Sequence, residues 1–144
     1  MDINKYNAEG YADPTAYSAI KNVLREQLQR KNKRPYMPKV FICSPYAGDI
    51  GANVEKARTY CKFAADNNYI PFAPHLLFPQ FLNDESSAER ELGIFMGTVY
   101  LDDCRELWIF GDRITNGMSS EIKRAKRRGL IIRRFTEACV EVFP

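Results

Sequence analysis

The sequence contains one histidine and one tryptophan, and its four cysteines form no C-x-x-C pair. With a single imidazole and thiols this scattered, a Cys/His zinc site has neither the ligands nor the spacing it needs. No stretch approaches the roughly 18 uninterrupted apolar residues of a membrane-spanning helix. The N-terminal MDINKYNAEGYADPTAY has no apolar core and does not read as a secretory signal. Walker A, G-x-G-x-x-G, zinc-finger, RNA-recognition and helix-turn-helix patterns are missing, and no internal repeat is visible. No membrane association is expected, and the cysteines read as free thiols of a reduced, cytoplasmic protein.

What is present is the composition of one folded domain: 45% hydrophobic, 27% charged and 12% aromatic residues over 144 positions. Nine Phe, eight Tyr and the Trp supply enough apolar surface to exclude a wholly disordered chain. The net charge of +3 is unevenly divided. Lys123, Arg124, Lys126, Arg127, Arg128, Arg133 and Arg134 have no acid among them, which leaves 14 basic against 18 acidic residues elsewhere. A solvated helix, a field steering nucleotide phosphates and a nucleic-acid surface are all open readings, the last without a supporting motif.

Residues 1–38 read as an N-terminal arm and helix, residues 39–144 as the main domain. Residues 1–12 are polar, and Asp13-Pro14 reads as a cap and first position for a helix to about Lys31. Lys31–Pro35 is a linker. Strand and helix signals then alternate. Lys39–Cys43 is a buried strand, Ala52–Asn67 a helix with Val54, Ala57, Cys61, Ala64 and Ala65 inward, and Tyr69–Ala73 an edge strand. Pro74–Asn83 is an apolar loop. A capping box of Ser86 and Glu89 opens a helix with Ala88, Leu92, Phe95 and Val99 inward. Glu106–Phe110 is a strand, Gly117–Arg128 a helix stopped by Gly129, and Leu130–Arg134 a strand before a short tail. Strands separated by helices predict a three-layer α/β domain with a mostly parallel sheet, flavodoxin-like or Rossmann-like.

Ligands of such sheets bind beyond the carboxyl ends of the strands. In the loop SPYAGDIGAN, Ser44, Tyr46, Gly48 and Gly51 precede a helix start, where backbone N–H groups favour an electron-rich ligand; a plain strand-to-helix turn is the bland alternative. Glu121 follows Gly117, Ser119 and Ser120, either as a routine first-turn acid or as a functional group at the pocket mouth. His75 is either satisfied by backbone groups or in contact with a ligand. Phe72, Leu77, Phe78 and Phe81 fit a nucleobase wall, a dimer interface or a core plug equally well.

Taken together, ICSPYAGD, ELWIFGD and NGMSSEIKRAKRRG resemble the nucleoside 2-deoxyribosyltransferase superfamily. The chain is most like a branch of small domains sharing the APHLLFPQFL and ERELG segments, over about Lys39–Cys139. The resemblance implies that Glu121 is a nucleophile attacking the anomeric carbon of a deoxyribosyl nucleoside or its 5′-monophosphate, and that Tyr46 orients it. It places Ser44 and Gly48 near the sugar or a 5′-phosphate and Ser119 and Ser120 at the phosphate. Thr115 and Asn116 stand where the family carries an acid, so the base-side role falls to Asp112 or Asn116. A further family aspartate aligns near Thr98, with Asp102 and Asp103 one turn later. No metal or organic cofactor is implied, nucleic acid is not an expected partner, and a homo-oligomer, a dimer or larger, is. The other reading is a nucleotide-binding module that kept the pocket without turnover.

Overall fold

The structure is a computed structural model and describes residues 14–32 and 34–144. The expected arm over residues 1–12 and the cap at Asp13 lie outside them. A first compact unit ends at Tyr36, and a second spans Met37–Pro144. In the first unit, α1 (Pro14–Asn32) carries Ala19, Ile20, Val23 and Leu24 along one apolar stripe.

The second unit is built on a sheet of β1 (Lys39–Cys43), β2 (Ile70–Phe72), β3 (Glu106–Phe110), β4 (Ile131–Phe135) and β5 (Glu141–Val142), in the order β2-β1-β3-β4-β5. The first four strands run parallel, with Val40 opposite Glu106 and Glu106 opposite Ile131. β5 returns antiparallel to β4. The order of the parallel strands is that of the flavodoxin-like fold, which reverses direction between β1 and β3.

Side chains alternate across each strand, so the sheet divides the core into two layers. Val40, Ile42, Trp108, Phe110 and Phe135 face α2 (Ile50–Asp66), where Tyr60 stacks on Phe110 at 4.0 Å between ring centres. Phe41, Cys43, Leu107 and Ile109 face α4 (Ser87–Asp102) and α5 (Asn116–Arg127) with Leu101, Met118 and Ala125. The three-layer α/β fold is as the sequence predicts.

Details differ. The inward face of α2 is Asn53, Ala57, Tyr60 and Ala64, not the stripe through Val54 and Ala65. The apolar segment after β2 is no loop: Pro74, at a first helical position, opens α3 (Pro74–Leu77), and a 3-10 turn (Phe78–Gln80) follows. On α4, Ala88, Leu92, Phe95 and Val99 are exposed, while Gly97 and Leu101 are buried. Glycines cause this inversion. A Cβ at Gly97 would stand 3.8 Å from Phe78 Cε2, and one at Gly93 only 3.3 Å from Leu82 Cδ1. The side of α4 without side chains is where the α3 segment lies, and the apolar residues are left outward. Among the described residues, no helix is long and apolar enough to cross a membrane.

At the amino ends of the strands, away from the loops considered below, Glu106 is buried and accepts from Trp108 Nε1 at 3.0 Å. Arg133 lies 3.6 Å from Glu106, forms a double hydrogen bond with Glu141 at 2.8 Å, and stacks over Trp108. This network ties β5 to the sheet.

Candidate functional site

A cavity of about 730 Å³ opens at the carboxyl ends of β1, β2 and β3. Its volume is in the range of small-molecule sites, and it lies at the point where the strand order reverses. Three connections supply walls: Tyr46 and Ala47 after β1, Pro74, His75 and Phe78 after β2, and Thr115–Met118 after β3. Helices α4 and α5 add the rest.

Glu121 reaches this cavity because of helix phase. It is the sixth residue of α5, three after buried Met118 and four before buried Ala125, so all three share the inward face. Thr115 caps the helix by accepting from the Met118 N–H at 3.2 Å. The sequence reading put Glu121 in the first turn; with the helix starting at Asn116 it sits in the second, where the N-terminal dipole has faded. Its Oε2 is buried and has no hydrogen-bond partner among the described residues. Burial pushes the Glu121 carboxyl up to about 8, against a smaller lowering by the Cys43 thiol beside it. An apolar wall thus holds a carboxylic acid that is still protonated at neutral pH.

Tyr46 stacks on His75, ring centres 4.8 Å apart at 27°. Asn53, buried on α2, donates to the carbonyls of Tyr46 and Ala47 at 2.9 and 3.2 Å and pins the loop that carries Tyr46. His75 Nε2 is 3.0 Å from the Ser44 carbonyl. A carbonyl only accepts, so Nε2 carries the hydrogen and Nδ1 the lone pair. Burial lowers the His75 pKa, which keeps the ring neutral.

Glu121, Tyr46, His75, Phe78, Asn116, Gly117 and Ser120 therefore meet at one cavity. Ser44, Gly48, Ser119 and Asp112 do not line it, nor do Phe72, Leu77 and Phe81 of the expected aromatic wall. Ser44 is buried, with Oγ unpartnered among the described residues. Gly48 turns the first loop with φ +104°, close to the Arg113 guanidinium, which donates to the Ala47 carbonyl. Ser119 gives its N–H to the Thr115 carbonyl. Asp112 is exposed just past Gly111, whose φ of +88° turns the chain away. Phe78 is both plug and wall: it is buried, meets Phe72 and Tyr100, and touches the cavity.

The cavity also contains residues that sequence reasoning missed: Asp84, Glu89 and Arg90, at or just before the start of α4. Their signal was the capping box, which fixes where α4 begins. Asp102 is engaged elsewhere, with Arg124 Nε at 2.9 Å and Arg128 at 3.5 Å. Among the described residues, three of the seven clustered basic residues thus have acidic partners, Arg133 being the third. Among the described residues no cluster of side chains suits a metal ion, and all four cysteines are free.

No match is found among curated proteins. Among solved structures, a 2-deoxyribosyltransferase from Bacillus psychrosaccharolyticus, a psychrotolerant bacterium, superposes with a TM-score of 0.59 at 14% identity. That match covers 74% of this chain and 77% of the other and shows a shared fold. A 2-deoxyribosyltransferase from Leishmania mexicana gives a TM-score of 0.48 at 12% identity, over 69% of this chain and 64% of that one. A family model described as a domain of unknown function (DUF7768) matches residues 38–135, more than half of the chain, and the protein belongs to that family.

Proposed function

We propose that the protein cleaves or exchanges the N-glycosidic bond of a 2-deoxyribosyl nucleoside or nucleoside 5′-monophosphate, with Glu121 as nucleophile. One observation carries this reading: a buried carboxyl group with an unpartnered oxygen at the wall of a cavity large enough for a nucleoside. The likeness of fold to a 2-deoxyribosyltransferase supports it.

Glu121 first gives up its proton to solvent; its carboxylate attacks C1′, the C1′–N bond breaks, and the electron pair leaves with the base, which takes up one proton from solvent. The enzyme is left as a deoxyribosyl ester. A second base or a water then attacks C1′, loses a proton, and releases the carboxylate, with net retention. A carboxylate suits both steps, because it opposes the positive charge that develops on the sugar and leaves readily afterwards. The flat Tyr46–His75 pair and Phe78 offer faces for the base, and Asn116, which unlike Asp112 lines the cavity, takes the base-side role. Gly117 and Ser120, in the first turns of α5, face the sugar or a 5′-phosphate. Ser44 supports this wall through its carbonyl, which accepts from His75, while Gly48 and Ser119 have no direct part in it. No metal or organic cofactor enters the reading. A reducing cytoplasm suits the four free thiols. A second copy of the chain is expected over the open side of the cavity, where Ile94 is exposed.

Incubation with a panel of deoxynucleosides and deoxynucleotides, with and without an acceptor base, tests this reading. Wild type should release free base and Glu121→Ala should not. Two features favour a second reading, a nucleotide-binding module without turnover: burial pushes the Glu121 carboxyl up to about 8, and Thr115 stands where the resembled family carries an acid. Thermal stabilisation by nucleotides with no base release would select it.

A further inference from the structure

We propose that Cys43 is a positioning residue for Glu121: as the carboxyl group ionises, the Cys43 thiol turns its hydrogen from the Met118 carbonyl to the carboxylate and holds it in place. The consequence for turnover rests on the N-glycosidic reading above; the pairing itself does not.

Cys43 is the last residue of β1, fully buried, and is not part of the cavity lining. It lies beneath α5, where two acceptors stand about one turn apart on the inward face. One is the Met118 carbonyl, 3.8 Å from Sγ, a long and weak contact for a thiol. The other is the Glu121 carboxyl group, which shares the inward face of α5 with Met118 and Ala125 and whose ionisation the thiol favours. A thiol has one hydrogen and can serve one acceptor at a time. While Glu121 is protonated, little is lost if that hydrogen stays with Met118. Once Glu121 is charged, a hydrogen bond to it is worth more than one to a neutral carbonyl, and rotation about one side-chain bond delivers it.

The unpartnered Oε2 is the second observation. A buried carboxylate oxygen without a donor is costly, and among the described residues none donates to it. Other charged or titratable groups share the cavity: Tyr46 after β1, His75 on α3, Asp84 before α4, Glu89 and Arg90 on α4, and Arg124 and Arg127 on α5. Burial and the Cys43 thiol are what act on the Glu121 equilibrium. A residue outside the cavity thereby stabilises the form of Glu121 that reacts, without touching substrate.

The test is the titration of the Glu121 side-chain carbon, followed by NMR in the full chain. Wild type is compared with Cys43→Val, which removes the donor and adds only about one methyl group of bulk, and Cys43→Ser, which keeps a donor. The Glu121 midpoint should rise by about one pH unit or more in Cys43→Val and return to the wild-type value or below it in Cys43→Ser. The acidic limb of kcat/KM should move with it, which a merely structural role would not produce. An unchanged midpoint in Cys43→Val overturns the proposal, whatever the activity. Should the valine variant not fold, Cys43→Ala, which also removes the donor, replaces it, and a midpoint no higher than wild type in that variant overturns the proposal. A shifted midpoint in a protein that cleaves no nucleoside would keep the pairing and remove only the enzymatic reading.

Discussion

Replacing Glu121 by glutamine should make the protein more stable, and the gain should depend on pH in a defined way. An unfolded chain ionises this carboxyl near the ordinary value of 4.5, whereas the folded chain keeps its proton up to about 8. Between those values the folded state binds more protons, so the wild type loses stability as pH rises. Below the lower value both states are protonated and nothing is lost; above the upper one the penalty is complete. Each pH unit corresponds to about 1.4 kcal/mol, so the span gives an upper bound of about 5 kcal/mol. Partial solvation on ionisation should reduce the measured figure to a few kcal/mol. Glutamine is uncharged throughout and removes this dependence. The assay is urea denaturation of wild type and Glu121→Gln at intervals from pH 4.5 to 9, taking the difference at each pH so that other titrating groups cancel. The difference should grow in favour of the variant up to about pH 8 and then level off. A difference flat across this range would refute the burial of Glu121 and the reasoning built on it.

Other perturbations separate the supports of the fold from the site. Gly97→Ala should be tolerated and Gly97→Leu should destabilise by about 1–3 kcal/mol, because the larger side chain meets Phe78 and Pro74; thermal unfolding checks both. Removing the partly exposed Asp102 carboxylate with Asp102→Asn should cost about 1 kcal/mol or less, read by denaturant titration, since solvent screens its pairs with Arg124 and Arg128. Glu106→Leu should leave the Arg133 guanidinium and Trp108 Nε1 without this acceptor and cost about 3 kcal/mol, while nucleotide binding, measured by calorimetry, stays as in wild type. His75→Phe keeps a ring to stack on Tyr46 but strips the buried Ser44 carbonyl of its donor, so unfolding should show a loss of about 1–3 kcal/mol.

The sheet was legible in the sequence because its strands are short apolar runs between helical patterns, and Lys39–Cys43 and Glu106–Phe110 come out at the expected bounds. The misread parts share a physical cause: they depend on contacts between elements. The outward apolar face of α4 follows from Gly93 and Gly97, a G-x-x-x-G spacing whose meaning appears only when Phe78 is seen against it. β5 was invisible because two residues carry no pattern; Arg133 and Glu141 hold it. Tyr46, His75 and Glu121 were named from sequence, but that they share one cavity follows from strand order. Asp84, Glu89 and Arg90 were missed because polar residues around a helix start look like ordinary surface. Cys43 read as a small hydrophobe, which its burial fits; its place beneath Glu121 comes from the phase of α5.

The central claim is that Glu121 becomes covalently attached to the sugar, and peptide mapping by mass spectrometry after rapid acid quench measures this directly. During turnover of a deoxynucleoside or deoxynucleotide, the peptide containing Glu121 should gain the mass of one deoxyribosyl or phosphodeoxyribosyl group. The adduct should disappear on addition of an acceptor base and be absent from Glu121→Gln. Base release by wild type with no adduct on that peptide, or an adduct on another residue, would contradict the account.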